Sequence, residues 1–407
     1  MDRTYSKYRW YLLGLTLLTN ILCSAMPTMG MSVLSKEISS DLHLNVVQVG
    51  IIWGIGSLPA IITSLLGGAA GDKFGPKKML IVSSLVVGLL GAARGLAPSY
   101  GVLLVIVVLL GAITPFITLN GIKTVGQWFP TSQLGLANGF LSMGMALGFF
   151  LGSMLSASVL SPLLGGWRQV LMLYGICGAS LSILWFFTRS APMPTVNSSQ
   201  KISMLQSINH VIRLKNVWMI GLVLFCMAGA IQGTLGFLPL HLREIGWTGV
   251  KADGALSTFH LVSMIFVLPI ALWSDRLGSR KKVMVIASVM ILSGIGMMSF
   301  AKGNLVYAAV LLAGFMRDGF MAMVYTSVME SKGVGAAYAG TASGFINGVS
   351  GIGMAVEPAL GNSLAAYWSG APFLLWASSA AVALGLVFSL KGKNRMSSSI
   401  PMENNPG

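Results

Sequence analysis

Two neighbouring ionisable residues, Arg317 and Asp318, stand in the middle of an apolar run, Gly314-Phe315-Met316-Arg317-Asp318-Gly319-Phe320. An ionisable side chain at the centre of a membrane-spanning helix costs on the order of 3 kcal/mol, so each needs a reason to be there. Adjacent residues on a helix point about 100° apart, so the two do not neutralise each other face to face. At least one must look into a water-filled cavity or toward another helix. Arginine brings a permanent charge and five donors in a fixed fork, which suits a carboxylate or another planar anion. Arg317 is therefore a candidate substrate residue. Asp318 could hold Arg317 in place or take up a proton during coupling. A buried network that only braces the C-terminal half is the alternative.

Other groups could join that chemistry. Glu357 precedes Pro358 in an apolar run and could carry a proton, since desolvation disfavours its charged form. His260 can titrate near neutral pH, although a lone histidine in such a run is more often a packing residue. Asn20, Thr118, Asn120, Gln232, Tyr325 and Asn347 are uncharged polar residues placed within apolar runs, and they complete a candidate binding set. Taken singly, each is as well explained as glue between helices. Lys123 and Arg94 lie near the ends of their runs and are expected to snorkel toward the membrane surface.

The elements that must position these groups are long apolar helices. The 407 residues are 55% apolar and 9% charged, with a mean hydropathy of +0.79. An average soluble domain carries roughly 25% charged residues. The apolar runs predict an all-α membrane protein with twelve transmembrane helices. In the first half these are Trp10–Leu34, Val46–Ala70, Met79–Leu96, Val102–Thr124, Leu134–Leu160 and Val170–Phe187. In the second they are Val217–Leu240, Ala255–Trp273, Val283–Phe300, Leu305–Val328, Ala336–Leu360 and Pro372–Leu390. The expected organisation is an N-terminal six-helix bundle over 1–188, a cytoplasmic linker over 189–216, a C-terminal six-helix bundle over 217–391 and a disordered tail over 392–407. The basic start leads into a first helix, since its apolar run is longer than a signal-peptide core.

The net charge of +15 reports topology and not a nucleic-acid partner. With these spans, eighteen of the 26 Lys and Arg fall on the side of the termini and six on the other, while Lys123 and Arg317 lie within spans. That bias places both termini in the cytoplasm. The three cysteines, Cys23, Cys177 and Cys226, lie within apolar runs without metal-ligand spacing, so no metal site and no cofactor is expected.

The two halves repeat one loop. Gly68-x-x-x-Asp72-Lys73-x-Gly75-x-Lys77-Lys78 follows the second run, and Asp275-Arg276-x-Gly278-x-Arg280-Lys281 follows the eighth, 203 positions later. Glycines recur four apart in the fifth run, at Gly144, Gly148 and Gly152, and in the eleventh, at Gly340, Gly344 and Gly348. Such stripes let helix backbones approach closely. The paired loops resemble the signature loop of the major facilitator superfamily and its degenerate second copy. Trp128-Phe129-Pro130 followed by Gly135-Leu136-Ala137-Asn138-Gly139 resembles the same family's connection between its fourth and fifth helices.

The resemblance covers essentially the whole chain and implies a transporter whose halves rock about a central site. It implies that the first, fourth, seventh and tenth helices line the cavity. It also implies a gate on the cytoplasmic side built from Gly68, Asp72, Lys73, Gly75 and Lys77 with Asp275, Arg276, Gly278 and Arg280. Asp72 would latch the halves near the start of the eleventh helix. Two departures weigh against a multidrug exporter. The fifth run reads Gly152-Ser153 where drug/proton antiporters carry Gly-Pro, and Leu110–Pro115 lacks the arginine of many proton-coupled members.

The expected function is a secondary transporter of the inner membrane, monomeric and not an enzyme. It would move a small, monocarboxylate-like organic anion by symport with protons. The alternative is an exporter of lipophilic or neutral compounds with Arg317 and Asp318 structural. No Gly-x-x-x-x-Gly-Lys-[Ser/Thr] loop occurs to suggest ATP as the energy source, and no His-Glu-x-x-His helix suggests an intramembrane enzyme.

Overall fold

A computed structural model of the chain describes residues 3–190, 204–277 and 279–390, and all regular structure among them is helical. Hydrocarbon offers no water to satisfy N–H and C=O groups, so a spanning segment must satisfy its own. The long helices, in chain order, are α1 (Lys7–Val33), α2 (Val46–Ser64), α3 (Pro76–Arg94), α4 (Tyr100–Trp128), α5 (Leu136–Leu164) and α6 (Trp167–Phe186). They continue with α7 (Lys215–Glu244), α8 (Gly249–Val267), α9 (Arg280–Met298), α10 (Leu305–Met329), α11 (Gly335–Ser363) and α12 (Ala371–Ser389). Eleven of these, all but α11, are apolar enough to cross a membrane by length and composition. Helix α11 has the length, at 29 residues, but spends it on glycine, alanine and serine where backbones meet.

The helices are not uniform rods. Wide π turns interrupt α1 at Ile21–Ala25 and α5 at Ser156–Leu160. Helix α10 is broken at Met316, so Arg317 and Asp318 open a new helical segment, Arg317–Met329. The polar stretch expected as a linker contains a short helix, Met204–Val211. Its His210 ring stacks on Tyr338 and bonds the Gly333 carbonyl at 2.7 Å. Residues 191–203 of that linker and the tail 392–407 lie outside the described residues.

Close backbone contacts hold the assembly together. In α3 a Cβ at Gly88 would overlap the Ala179 backbone of α6. The glycine stripe of α5 works along its length: Gly144 faces Leu17, Gly148 faces Ile21 and Ala25, and Gly152 faces Met26, all on α1. The start of α1 and the end of α6 share one level, where the Tyr8 hydroxyl accepts from the Arg189 backbone N–H at 2.6 Å. At the level of the C-terminal end, Lys281 donates to the Phe388 and Leu390 carbonyls. We call this side the terminal face and the opposite side the far face.

The far face is closed. Asn362 on α11 donates to the Val46 carbonyl at 2.9 Å, and Ser57 donates to the Gly351 carbonyl at 2.9 Å. Gly50 and Gly54 let α2 lie directly on the Pro358 and Ala355 carbonyls. Ser158 donates to Asp253 at 2.5 Å, and the Ser153 and Ser257 hydroxyls meet at 2.9 Å, joining α5 to α8. Toward the terminal face contact is lost: a Cβ at Gly68 or Gly340 would meet no described atom within 4 Å. Overpacking a tight helix contact costs about 1–3 kcal/mol. Gly88→Leu is therefore expected to lower the thermal midpoint of the purified protein clearly, while Gly139→Ala, which faces open space, leaves it unchanged.

Candidate functional site

A cavity of about 470 Å³ lies among α1, α2 and α4, with α7 and α11 contributing Gln232, Gly236 and Met354. Its walls are mainly apolar, including Ile38, Val49, Ile52, Trp53, Val107 and Leu110. Most of its hydroxyls have spent their proton on a backbone carbonyl. Thr28 donates to Ser24, Ser32 to Leu235, Ser64 to Ala60 and Thr114 to Leu110, at 2.6–2.7 Å. Ser57 serves Gly54 and Gly351, and the Trp53 indole donates to the Gln232 carbonyl at 2.7 Å.

Arg94 is the one charged residue of this lining among the described residues. The expectation that it snorkels to the surface is overturned, because it is 6% exposed and turned into the protein. The reason lies in the turn that ends α3. Arg168 of α6 donates to the Gly95 and Ala97 carbonyls at 3.2 and 2.7 Å and pairs with Asp41 at 2.8 Å. The surface position is thus already taken by another arginine. Gly91, one turn before Arg94, leaves room for its side chain, and Arg94 Nε reaches the Gly91 carbonyl at 3.5 Å. No described carboxylate lies within ion-pair distance of Arg94.

The central pair expected from the sequence has a different setting. Arg317 donates to Asp318 at 2.7 Å, and Ser263 of α8 donates to the same carboxylate at 2.6 Å. Asp318 sits in the first turn of its segment, where the helix dipole favours a negative charge. Adjacent residues meet here because the break at Met316 places Arg317 at the segment's first position. Arg317 Nε is buried without a partner. Neither residue lines the cavity.

Of the polar residues expected to bind substrate, Thr118 and Gln232 line the cavity and have unspent side-chain donors. Asn120 instead bonds the Gly67 and Phe116 carbonyls at 3.2 and 2.8 Å. Asn20 is buried beside it in the helix packing. Tyr325 donates to Asn347 at 2.5 Å, across α10 and α11. His260 is buried between the Phe149 and Phe259 rings, with Nε2 at 3.2 Å from Met29 Sδ. Glu357 accepts from Ser379 at 2.6 Å, while its other oxygen is buried and unpartnered. Sequence reasoning missed Ser35, Trp53 and Arg94. Only the arginine carried a signal, as a charge at the end of an apolar run.

The loop residues form separate contacts in this conformation. Lys123, expected to snorkel, reaches the exposed Asp72 at 2.5 Å and bonds the Gly68 carbonyl at 2.5 Å. Asp72 is 77% exposed at its side chain, and this partner belongs to α4, not to α11. Lys73 lies over the Phe74 ring, and Lys77 bonds the Thr188 carbonyl at 2.5 Å. Gly75 has φ +87°, a conformation that favours glycine, and it turns the chain into Pro76. Arg280 pairs with Glu330 at 2.9 Å. The side chains of Asp275 and Arg276, and all of Gly278, lie outside the described residues. No group of His, Cys, Asp and Glu among the described residues could hold a metal ion.

Comparison with known proteins gives a consistent result. The chain matches the Major Facilitator Superfamily over residues 16–358 and 254–401. It is 25% identical to a probable sulfoacetate transporter, SauU, of Cupriavidus necator, over 80% of each chain. It is 29% identical to the hexuronate transporter of Bacillus subtilis, over 42% of this chain and 40% of that one. It is 23% identical to a gallate transporter of Pseudomonas putida, over 78% and 77%. Among solved structures, a bacterial homologue of the lysosomal transporter Spinster, inward-facing and occupied, superposes with a TM-score of 0.76 at 15% identity, covering 94% of this chain and 96% of that one. The nucleoside transporter NupG superposes with a TM-score of 0.74 at 15% identity, over 94% and 98%.

Closure at the far face predicts one-sided access. In a variant lacking Cys23, Cys177 and Cys226, a cysteine at the exposed lining position Thr28 should react with a membrane-impermeant maleimide supplied from the terminal face. From the far face, labelling of Thr28→Cys should be at least about tenfold slower, as read by gel shift over time.

Proposed function

The chain belongs to the major facilitator superfamily, a multi-pass membrane transporter and not an enzyme, and from that premise we propose that it moves a small, monocarboxylate-like organic anion by alternating access with a proton as co-substrate. The observation that carries the anion is the charge of the cavity: among the described residues its lining holds one arginine and no carboxylate. Low-dielectric walls strengthen the attraction between such a cation and an anion. Relatives named for sulfoacetate, hexuronate and gallate support the same substrate class.

In this reading the bundles over 1–188 and 217–391 rock against each other, joined by the linker over 189–216. The termini and the open side of the cavity face the cytoplasm, the protein sits in the inner membrane, and one monomer suffices. Arg317, which does not line the cavity in this conformation, is the candidate that meets the substrate as the halves rock, and Asp318 is the coupling acid. Protonating Asp318 removes the counter-charge from Arg317 and frees the guanidinium for an anion. Glu357 and His260 are the further candidate proton carriers, Glu357 because one carboxyl oxygen is buried without a partner.

The test is uptake into proteoliposomes from a panel of carboxylates, with internal pH recorded. Saturable, gradient-driven uptake with proton entry is expected. Arg317→Lys should reduce it at least about tenfold, the size of one lost charge-assisted hydrogen bond. Asp318→Asn should abolish gradient-driven accumulation while keeping anion exchange. Transport of neutral lipophilic compounds without any carboxylate would sink the proposal and favour the exporter reading.

A further inference from the structure

We infer that Arg94 and Ser35 form the seat for the anion's charged head, and that the cavity selects a small anion with one charge and an apolar body. This rests on the anion reading above and adds the place, the orientation and the substrate class.

An anion must be met by N–H or O–H groups that are not already committed. Five of the lining hydroxyls and the Trp53 indole are bonded to backbone carbonyls. Four side chains of the lining keep uncommitted donors: Ser35, Arg94, Thr118 and Gln232. The Ser35 hydroxyl is the sharpest of these. It belongs to a residue 4% exposed, lines the cavity, and has no hydrogen-bond partner. A buried hydroxyl left unpaired is costly, and so is a buried guanidinium without a counter-ion. Both costs fall together if one anion receives both groups.

Both residues line the one cavity, and the chain segments that carry them pack together. Leu34 and Ile38, which flank Ser35 on the chain, pack in one apolar cluster with Ala97 and Leu103, which follow Arg94. Those segments lie at the closed far face. The lining of α4 runs from Val107 to Leu119, roughly 18 Å at the helical rise of 1.5 Å per residue. Between the seat and Thr118 the walls are Ile52, Trp53, Val107, Leu110 and Pro115. They offer apolar surface and an aromatic face for the body of the ligand. Thr118 can give one neutral hydrogen bond to its tail, and Gln232 another along the way. No second cation lines the cavity among the described residues, so a second carboxylate at the tail would lose its water without gaining a partner.

The test is equilibrium binding to the purified protein of benzoate, terephthalate and benzamide, which share a ring and differ in charge. Benzoate should bind, and terephthalate about tenfold or more weaker. Arg94→Gln should weaken benzoate about a hundredfold, the effect of losing a bidentate charged contact, and leave benzamide unchanged. Ser35→Ala should weaken benzoate about tenfold, the effect of one hydrogen bond to a charged group. Arg94→Lys, with the charge but not the fork, should fall between. If Arg94→Gln does not fold, the Arg94→Lys and Ser35→Ala variants decide the matter. Benzoate affinity unchanged in them but lost in Arg317→Gln would overturn the seat and leave the anion reading standing. Terephthalate as tight as benzoate would overturn the single-charge class alone. Failure of both benzoate and benzamide to bind would overturn the apolar-body class. Benzamide binding without benzoate would overturn the anion reading itself.

Discussion

Hydrocarbon supplies no hydrogen-bond partners, and every polar group in this protein is arranged around that constraint. The backbone answers it by being helical. Many hydroxyls answer it locally, by donating to the carbonyl one turn back, as Thr16 does to Leu12, Thr124 to Asn120, Thr234 to Ala230 and Thr326 to Ala322. A side chain satisfied in this way has no donor left for a ligand. Among the groups that remain uncommitted, those lining the cavity are Ser35, Arg94, Thr118 and Gln232. Ser35 is buried with its hydroxyl unpartnered, and Arg94 is buried with no described carboxylate beside it. A binding site in a membrane protein can be read as the place where this internal accounting is left incomplete.

The closed far face shows how a gate can be firm and still reversible. Its contacts are mostly neutral hydrogen bonds to backbone carbonyls, such as Asn362 to Val46 and Ser57 to Gly351, each worth about 1 kcal/mol net. The strong ion pair nearby, Arg243 with Asp253 at 2.5 Å, lies within the C-terminal half, and Ser158 of the N-terminal half adds one bond to it. Gly50 and Gly54 bring α2 onto α11 without side chains that must interlock. Such an interface can separate without stranding an unpaired charge. At the terminal face Asp72 keeps its ion pair with Lys123 inside one half.

The helices and their order were legible because apolar runs and the repeated Asp-basic-x-Gly loops are properties of the chain alone. Family and fold followed from them. Helix α11 was legible through its place in the repeat, although its glycines and serines lower its hydropathy. The site was less legible, because sequence position gives the depth of a residue in the membrane but not the direction it faces. Arg317 drew attention by lying mid-run, and the structure pairs it with its own neighbour through a helix break that no residue type announces. Arg94 looked like a surface residue because it ends a run. Its inward turn depends on Arg168, 74 positions away, which occupies the Gly95 and Ala97 carbonyls. Thr118 and Gln232 were named for the cavity and line it, whereas Asn20 and Asn120 serve the packing of α1, α2 and α4.

The central claim is that an anion's charged head sits at the closed far end of the cavity. A structure determined with 4-bromobenzoate addresses it directly, since anomalous scattering locates the bromine and so orients the ring. The carboxylate is expected on the Arg94 guanidinium and the Ser35 hydroxyl, with the bromine pointing along α4 toward Thr118. A carboxylate bound at Arg317, or a ring reversed so that the bromine lies against Arg94, would contradict it.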